Sequence, residues 1–374
     1  MIKKKKILLV GDQPGWAFHN IILFVRKHLK HKFDLYHDFV LYHPAFEDPN
    51  KETSSKTDQN FVFKKKLLFQ KVSVLRSLEY RFIKKLNQSN LLAFNEHGRF
   101  QRLTKDNKYD LVVYLDHYFP FDGDFSNIHS KKIIQGTFND VFPPRKLFRI
   151  PNSGEIKPIN DGHEFCDIFL KFADALLIGS PSIRAQYEKF FEKPILFANM
   201  AYDESVFKQK AQNNSEKFIL GWTGNPDREF KGFYSIVLEV LEELKRSGYN
   251  VELRTQFSGT LNSLAYFWQG IDLAIIASEA DAGPSMFMEA SLCGVPSIST
   301  RIGMPAYVIV DRENGLFCDR NVTDFVEKIT FLIQNPDRLE KMKRKIRKDY
   351  IEKLGVHVQI KNWENLFETI LKDD

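Results

Sequence analysis

The chain has 374 residues, 43% of them hydrophobic and 27% charged, with a formal net charge of +6. That length exceeds what one hydrophobic core usually serves, so two domains are expected. The composition excludes a disordered chain. No run of eighteen uncharged apolar residues is present to span a bilayer, and the mild basic excess comes with no base-reading module that would mark a nucleic-acid binder.

The opening residues, MIKKKK ahead of an apolar 7–10, imitate a signal peptide. The apolar stretch is too short and lacks a small-residue cleavage site, so it reads as a first β-strand. Further short apolar runs fall at 111–115, 133–136, 175–178 and 195–198, with helical stretches such as 20–29 and 182–190 between several of them. Buried parallel strands alternating with helices give this pattern. The polar segment 48–60 predicts a surface loop, and the basic segment 64–81 (KKKLLFQKVSVLRSLEYR) concentrates the positive charge. A polar stretch at 208–217 is the best linker candidate. Beyond it the alternation restarts: strand 218–222, helix 233–247, strands 251–254 and 273–277, helix 284–292, strand 296–299, and helices 323–333 and 336–353. The pattern predicts an α/β protein of two facing, doubly wound, Rossmann-like domains. Cys166, Cys293 and Cys318 are odd in number without CxxC spacing, so they read as small buried hydrophobes in a reducing, cytoplasmic compartment.

The segment 278–301, SEADAGPSMFMEASLCGVPSISTR, carries the most chemistry. A buried strand ends at a turn holding Asp281, Ala282 and Gly283. A helix then opens with Pro284 at its first position and stops before Gly294. Ligands of open α/β sheets bind at the carboxyl ends of strands, against helix N-termini. The amides from Gly283 through Ser285 to Met286 are therefore expected to face a crevice and donate to a diphosphate or to sugar hydroxyls. Asp281 and Glu289 stand eight positions apart, one on the loop and one on the helix, and paired carboxylates suit vicinal hydroxyls.

The spacing Asp281-x7-Glu289, with Ala290, Cys293-Gly294 and Val295-Pro296 behind it, resembles the acid-x7-Glu signature of GT-B glycosyltransferases of family 4. Arg301-Ile-Gly-Met-Pro305 and Glu313-Asn-Gly-Leu316 resemble that family's Gly-Gly-x-Pro-Glu and Glu-Asn-Gly-Leu segments. Residues 268–272 (WQGID) resemble its Tyr-x-x-Ala-Asp helix, and 221–232 (GWTGNPDREFKG) its diphosphate-gripping segment. The resemblance is continuous over about 218–365. It implies GT-B architecture: an acceptor domain at 1–207, a nucleotide-sugar domain at 208–355, and a last helix crossing back onto the first domain. It further implies that Glu289 holds the ribose, Asp281 the transferred sugar with the amides of Ala282 to Ser285, and Lys231 the diphosphate. Such a fixed cation and a helix N-terminus stabilise the charge that gathers on a departing nucleoside diphosphate. Gly15 is placed near the phosphates and Trp16 beside it, walling the acceptor side. The implied activity is retaining, metal-independent transfer from a UDP- or GDP-sugar to a carbohydrate or lipid-linked acceptor, in cell-surface polysaccharide or glycoconjugate synthesis. No cofactor is implied, and Asp122-Gly-Asp124 is a lone DxD.

The sequence departs from the family in three places. Asn225 stands where an arginine is usual, with Arg228 three residues on; the first acid is an aspartate; and 135–140 (QGTFND) lacks the histidine often found there. His117 is the nearest alternative, and Asp140 reads either as a catalytic carboxylate or as a turn cap. The stretch 64–95 reads either as an amphipathic core helix or as a peripheral contact with an anionic membrane. Two other readings compete for the whole chain: a GT-B sugar phosphorylase or epimerase, and a binding protein with a degenerate donor site.

Overall fold

The computed structural model describes residues 4–13, 17–40, 92–94, 100–102, 108–122, 125, 128–138, 147–209, 216–257 and 259–372. The readings made for Gly15, Trp16, Asp140, Asp124, the loop 48–60 and the basic stretch 64–81 lie outside them.

The chain opens with β1 (Lys6–Gly11), in which Ile7, Leu8, Leu9 and Val10 are all buried. A strand covered on both faces has no reason to alternate. Helix α1 (Ala17–Leu29) buries Ile21, Ile22, Phe24, Val25 and Leu29 and ends on Arg26, Lys27 and His28, which suit the negative end of its dipole. Next comes β2 (Asp34–Phe39), which the sequence reading passed over because His37 and Asp38 break its apolar pattern, although both are buried. The strands β3 (Leu92–Phe94) and β4 (Phe100–Arg102) follow. Residues 92–94 are therefore strand, whereas the sequence pattern placed them in an amphipathic stretch. Then come β5 (Lys108–Tyr114), the short α2 (Phe119–Asp122), β6 (His129–Thr137), and the antiparallel pair β7 (Leu147–Arg149) and β8 (Ile156–Pro158). Helix α3 (Gly162–Phe169), β9 (Ala175–Ile178), the single turn α4 (Arg184–Tyr187) and β10 (Ile195–Phe197) complete this half. The helix expected over 182–190 is only a 3-10 turn, Pro181–Ile183, followed by α4.

Among the described residues these strands form one eight-stranded sheet, ordered β10-β9-β6-β5-β1-β2-β3-β4. It is parallel from β10 to β2, and β3 and β4 are added antiparallel. The strand order reverses between β1 and β5, so the crevice of this sheet opens beyond Gly11 and Tyr114.

The second half restarts with β11 (Phe218–Thr223). The helix expected over 233–247 is a π-helical turn, Phe233–Val237, running into α5 (Leu238–Arg246); the Gly232 carbonyl accepts from both Ile236 and Val237 at 3.0 Å. Then follow β12 (Val251–Gln256), α6 (Leu261–Phe267), β13 (Leu273–Ile276), α7 (Ser285–Leu292), β14 (Ser297–Ser299), α8 (Gly303–Val308) and β15 (Leu316–Phe317). Helices α9 (Val322–Gln334), α10 (Pro336–Leu354) and α11 (Val356–Leu371) close the chain. All five strands are parallel, ordered β12-β11-β13-β14-β15, and the order reverses between β11 and β13.

The last helix crosses back to the first sheet. Phe367 on α11 packs edge-on against Phe33, with ring centroids 5.2 Å apart, and Lys32 pairs with Glu364. The segment joining the two sheets is tied to this helix and its approach. Asn199 accepts from Trp363 Nε1 on its carbonyl at 2.8 Å, and its amide donates to Gln359 Oε1 at 2.9 Å. Arg347 of α10 donates to the carbonyls of Glu204 and Phe207. The architecture is GT-B: two Rossmann-like sheets with their helices, bound by a crossing C-terminal helix.

Candidate donor site

The reversal between β11 and β13 places two loops side by side. The first, after β11, carries Gly224, Asn225, Arg228 and Lys231. Gly232 closes it at φ +69°, where a Cβ would stand 2.8 Å from the Ala277 carbonyl. Glycine therefore lets this loop lie directly against the end of β13. Glu279 donates its amide to the Phe230 carbonyl at 2.8 Å, joining it to the second loop.

That second loop carries Asp281. Lys231 Nζ lies 3.2 Å from Asp281 Oδ2, with both side chains mostly buried. Asp281 Oδ1 accepts the Gly283 amide at 3.0 Å. This corrects the expectation that the Gly283 amide faces the crevice: the loop's own carboxylate takes it. Pro284 has no N–H to offer and sits at the N-cap, one residue earlier than expected. Ser285 and Met286 begin α7, and helix geometry leaves their amides without intrahelical acceptors. The donors for an anion are thus Ser285 and Met286, while the Ala282 and Met286 side chains are buried in the core.

Glu289 lies one turn further along α7 and is only 2% exposed. Its Oε2 accepts from Trp268 Nε1 at 3.0 Å and from Thr223 Oγ1 at 3.4 Å. Its Oε1 accepts from the Tyr202 hydroxyl at 3.4 Å. Burial pushes the Glu289 carboxyl above the usual glutamate range, opposed by these three bonds and by the Lys231 charge. Glu289 is therefore not a solvated helix carboxylate.

Other candidates fall elsewhere. Asn225 is exposed, and its Oδ1 accepts the Asp227 amide at 3.0 Å, so its side chain serves the turn. Arg228 is exposed beside it. His117 is buried, with Nδ1 3.5 Å from Asp116 Oδ1 and its ring packed against Tyr118, Phe165 and Phe169. Asp122, the first acid of the lone DxD, pairs with Arg149. Asp12, at the carboxyl end of β1, has its carboxyl raised to about 6, chiefly by burial and further by the Asp116 charge. Cys293 and Cys318 are buried and Cys166 only partly so; burial raises all three thiols.

Two resembling motifs prove structural. Asn314 is fully buried, donating from Nδ2 to Asp349 Oδ2 at 2.6 Å and accepting the Val310 amide at 2.8 Å. Asp272 accepts the Ile219 amide at 2.9 Å and pairs with Lys343. Gly303 seats the Asp281 loop: a Cβ there would stand 2.1 Å from the Asp281 carbonyl, and its own carbonyl accepts from Ser182 of the first half at 2.8 Å. Tyr202 was not singled out from the sequence, and Thr223 and Gly303 were visible only as letters within GWTGNPDREFKG and RIGMP. Trp268 was visible only as the first letter of WQGID, and nothing local marks Tyr202.

Residues 237–349, most of the second half and including Asp281 and Glu289, match the family model for glycosyl transferases group 1. That segment is similar to the glycosyl transferases group 1 family. N-acetyl-alpha-D-glucosaminyl L-malate synthase of Bacillus anthracis is 24% identical over 142 residues, 38% of this chain, and the match spans only 36% of that relative's length. Among solved structures, sucrose-phosphate synthase from Thermosynechococcus elongatus superposes with a TM-score of 0.66 at 11% identity, covering 99% of this chain and 100% of that one. HepE of Anabaena, in complex with UDP and glucose, superposes at 0.60 with 12% identity, covering 98% and 100%. At such identities the superpositions speak for the fold. Among the described residues no helix is long and apolar enough to cross a membrane.

Proposed function

We propose that the chain is a glycosyltransferase that moves a sugar from a nucleoside-diphosphate sugar to a carbohydrate or lipid-linked acceptor. The observation that carries this reading is the arrangement around α7: a buried acid, Glu289, below a helix N-terminus flanked by the Lys231–Asp281 pair. Glu289 would hold the ribose hydroxyls, the Ser285 and Met286 amides with Lys231 the diphosphate, and Asp281 the transferred sugar. Lys231 and Asp281 neutralise each other across 3.2 Å. A diphosphate competes for the lysine and frees the aspartate to accept from sugar hydroxyls.

A cation and two helix-end amides aimed at the departing phosphate stabilise the charge that grows there as the glycosidic bond breaks. In the retaining, metal-independent course we propose, the leaving phosphate takes the acceptor's proton on the same face. Acceptor binding belongs to 1–207 with the crossing helix 356–374, and donor binding to 208–355. UDP or GDP is the proposed nucleotide, and the proposed setting is the cytoplasm.

A second reading, a binding protein with a degenerate donor site, is favoured by Asn225, whose side chain is spent on its own turn. One experiment separates the two. A thermal-shift series with UDP, GDP, ADP, TDP and their sugar conjugates, with and without EDTA, is expected to show one responding nucleotide. The response should survive EDTA and vanish in Glu289→Ala. Hydrolysis or transfer of that sugar across an acceptor panel supports the enzyme; binding without turnover supports the binding protein; no response to any nucleotide overturns the donor site.

A further inference from the structure

Glu289 is held by donors from three separate parts of the chain. Trp268 ends α6, Thr223 ends β11, and Tyr202 lies in the segment joining the two sheets. The distribution over the carboxylate is uneven. Oε2 takes the indole and the threonine, while Oε1 takes only the long bond from Tyr202. A carboxylate oxygen has two lone pairs, so Oε1 is the oxygen with capacity to spare.

Neither anchor is free to drift. Trp268 is 1% exposed, and its ring lies so close to Gly221 that a Cβ there would stand 2.7 Å away. Tyr202 is half-buried, and its hydroxyl donates to the acid from the segment that joins the two sheets. Three residues before it, Asn199 is fixed to Gly179, Gln359 and Trp363.

We propose that Trp268 and Tyr202 are positioning residues that fix the Glu289 carboxylate with Oε1 toward the ribose, so that the donor site selects ribonucleotides over 2′-deoxyribonucleotides. This rests on the reading of Glu289 as the ribose acid. An acid free to rotate offers whichever oxygen suits a lone 3′-hydroxyl and binds both sugars alike. An acid held in one orientation inside a dry site keeps an unsatisfied lone pair when the 2′-hydroxyl is missing, and such a site rejects the analogue.

The test is calorimetric binding of UDP, 2′-deoxy-UDP, GDP and 2′-deoxy-GDP to the wild-type chain and to Trp268→Phe, Tyr202→Phe and Glu289→Gln. The wild type should prefer the ribonucleotide by about tenfold or more, the scale of one hydrogen bond to a charged group. In each Phe variant that preference should shrink at least about threefold, through weaker ribonucleotide binding at unchanged deoxynucleotide affinity. Equal weakening of both nucleotides in the Phe variants means a merely structural role and overturns the proposal. So does a preference lost in Glu289→Gln but intact in both Phe variants. A preference that survives Glu289→Gln, or a wild type that binds no nucleotide, overturns the ribose-acid reading and the proposal with it. Tyr202→Phe removes one hydroxyl from a half-buried ring, so it keeps the test open if Trp268→Phe fails to fold.

Discussion

Lys231 and Glu289 show how differently two charges work when one is paired at a cleft and the other is sunk in a core. Lys231 has Asp281 as its partner at 3.2 Å, so Lys231→Ala should fold while leaving Asp281 facing any diphosphate unneutralised. The expected outcome is a nucleoside-diphosphate Kd raised by about ten- to a hundredfold, measured by calorimetry. An ionised Glu289 accepts from ribose more strongly than the neutral acid, and burial raises its pKa. Nucleotide affinity should therefore begin to fall on acidification above the usual glutamate range, and Glu289→Gln should flatten that limb of the pH profile. Asp12 gives a stability counterpart. Its carboxyl is raised to about 6, by burial first and the Asp116 charge after it. The folded state then binds a proton more tightly than the unfolded state, so the cost of this group is greatest above pH 6 and disappears below about 3.8, the unfolded value. Asp12→Asn should raise the melting temperature at pH 7 to 8 and lose that gain near pH 4.

At the scale of elements, the acid-x7-acid spacing was legible because a strand, a turn and a helix fix it locally. What the turn does with its amides was not. Asp281 folds back on Gly283, and Pro284 slips to the N-cap, so the donors move down to Ser285 and Met286. Gly303, twenty-two residues after Asp281, supports this loop from below at φ +33°. Gly303→Ala would push a Cβ into the Asp281 and Ala282 carbonyls, which are backbone and have little room to give. The expected result is loss of nucleotide binding disproportionate to the loss in melting temperature, read by thermal shift with and without nucleotide. The missed strand β2 and the shortened α4 have a common cause. Propensity and pattern report the local chain, whereas burial of His37 and Asp38 in β2, and the packing of Tyr187 after the 3-10 turn, depend on distant neighbours.

Across the whole molecule, the joining segment 198–207 and α11 act as one strap. Trp363 is fully buried and bonds the Asn199 carbonyl; Phe367 reaches Phe33; and Glu204 Oε1 accepts the Val356 amide at 3.1 Å where α11 begins. Trp363→Ala should cost about 3–5 kcal/mol of unfolding free energy in a denaturant titration, the range for emptying a buried tryptophan site. By itself the sequence determined the α/β class, the two sheets and the acid pair, because strands buried on both faces, polar linkers and the turn chemistry around α7 leave local traces; the crossing helix and the lysine were implied only by the family resemblance. Only the tertiary structure decided which amides remain open and that Asn225 spends itself on a turn. It also decided that Asn314 and Asp272 are scaffold and that Tyr202, Trp268 and Thr223 converge on Glu289. Asn225 and Asp281 close turns of their own over two residues, whereas the donors on Glu289 come from 21, 66 and 87 residues away in sequence, and no local spacing encodes which of them will meet.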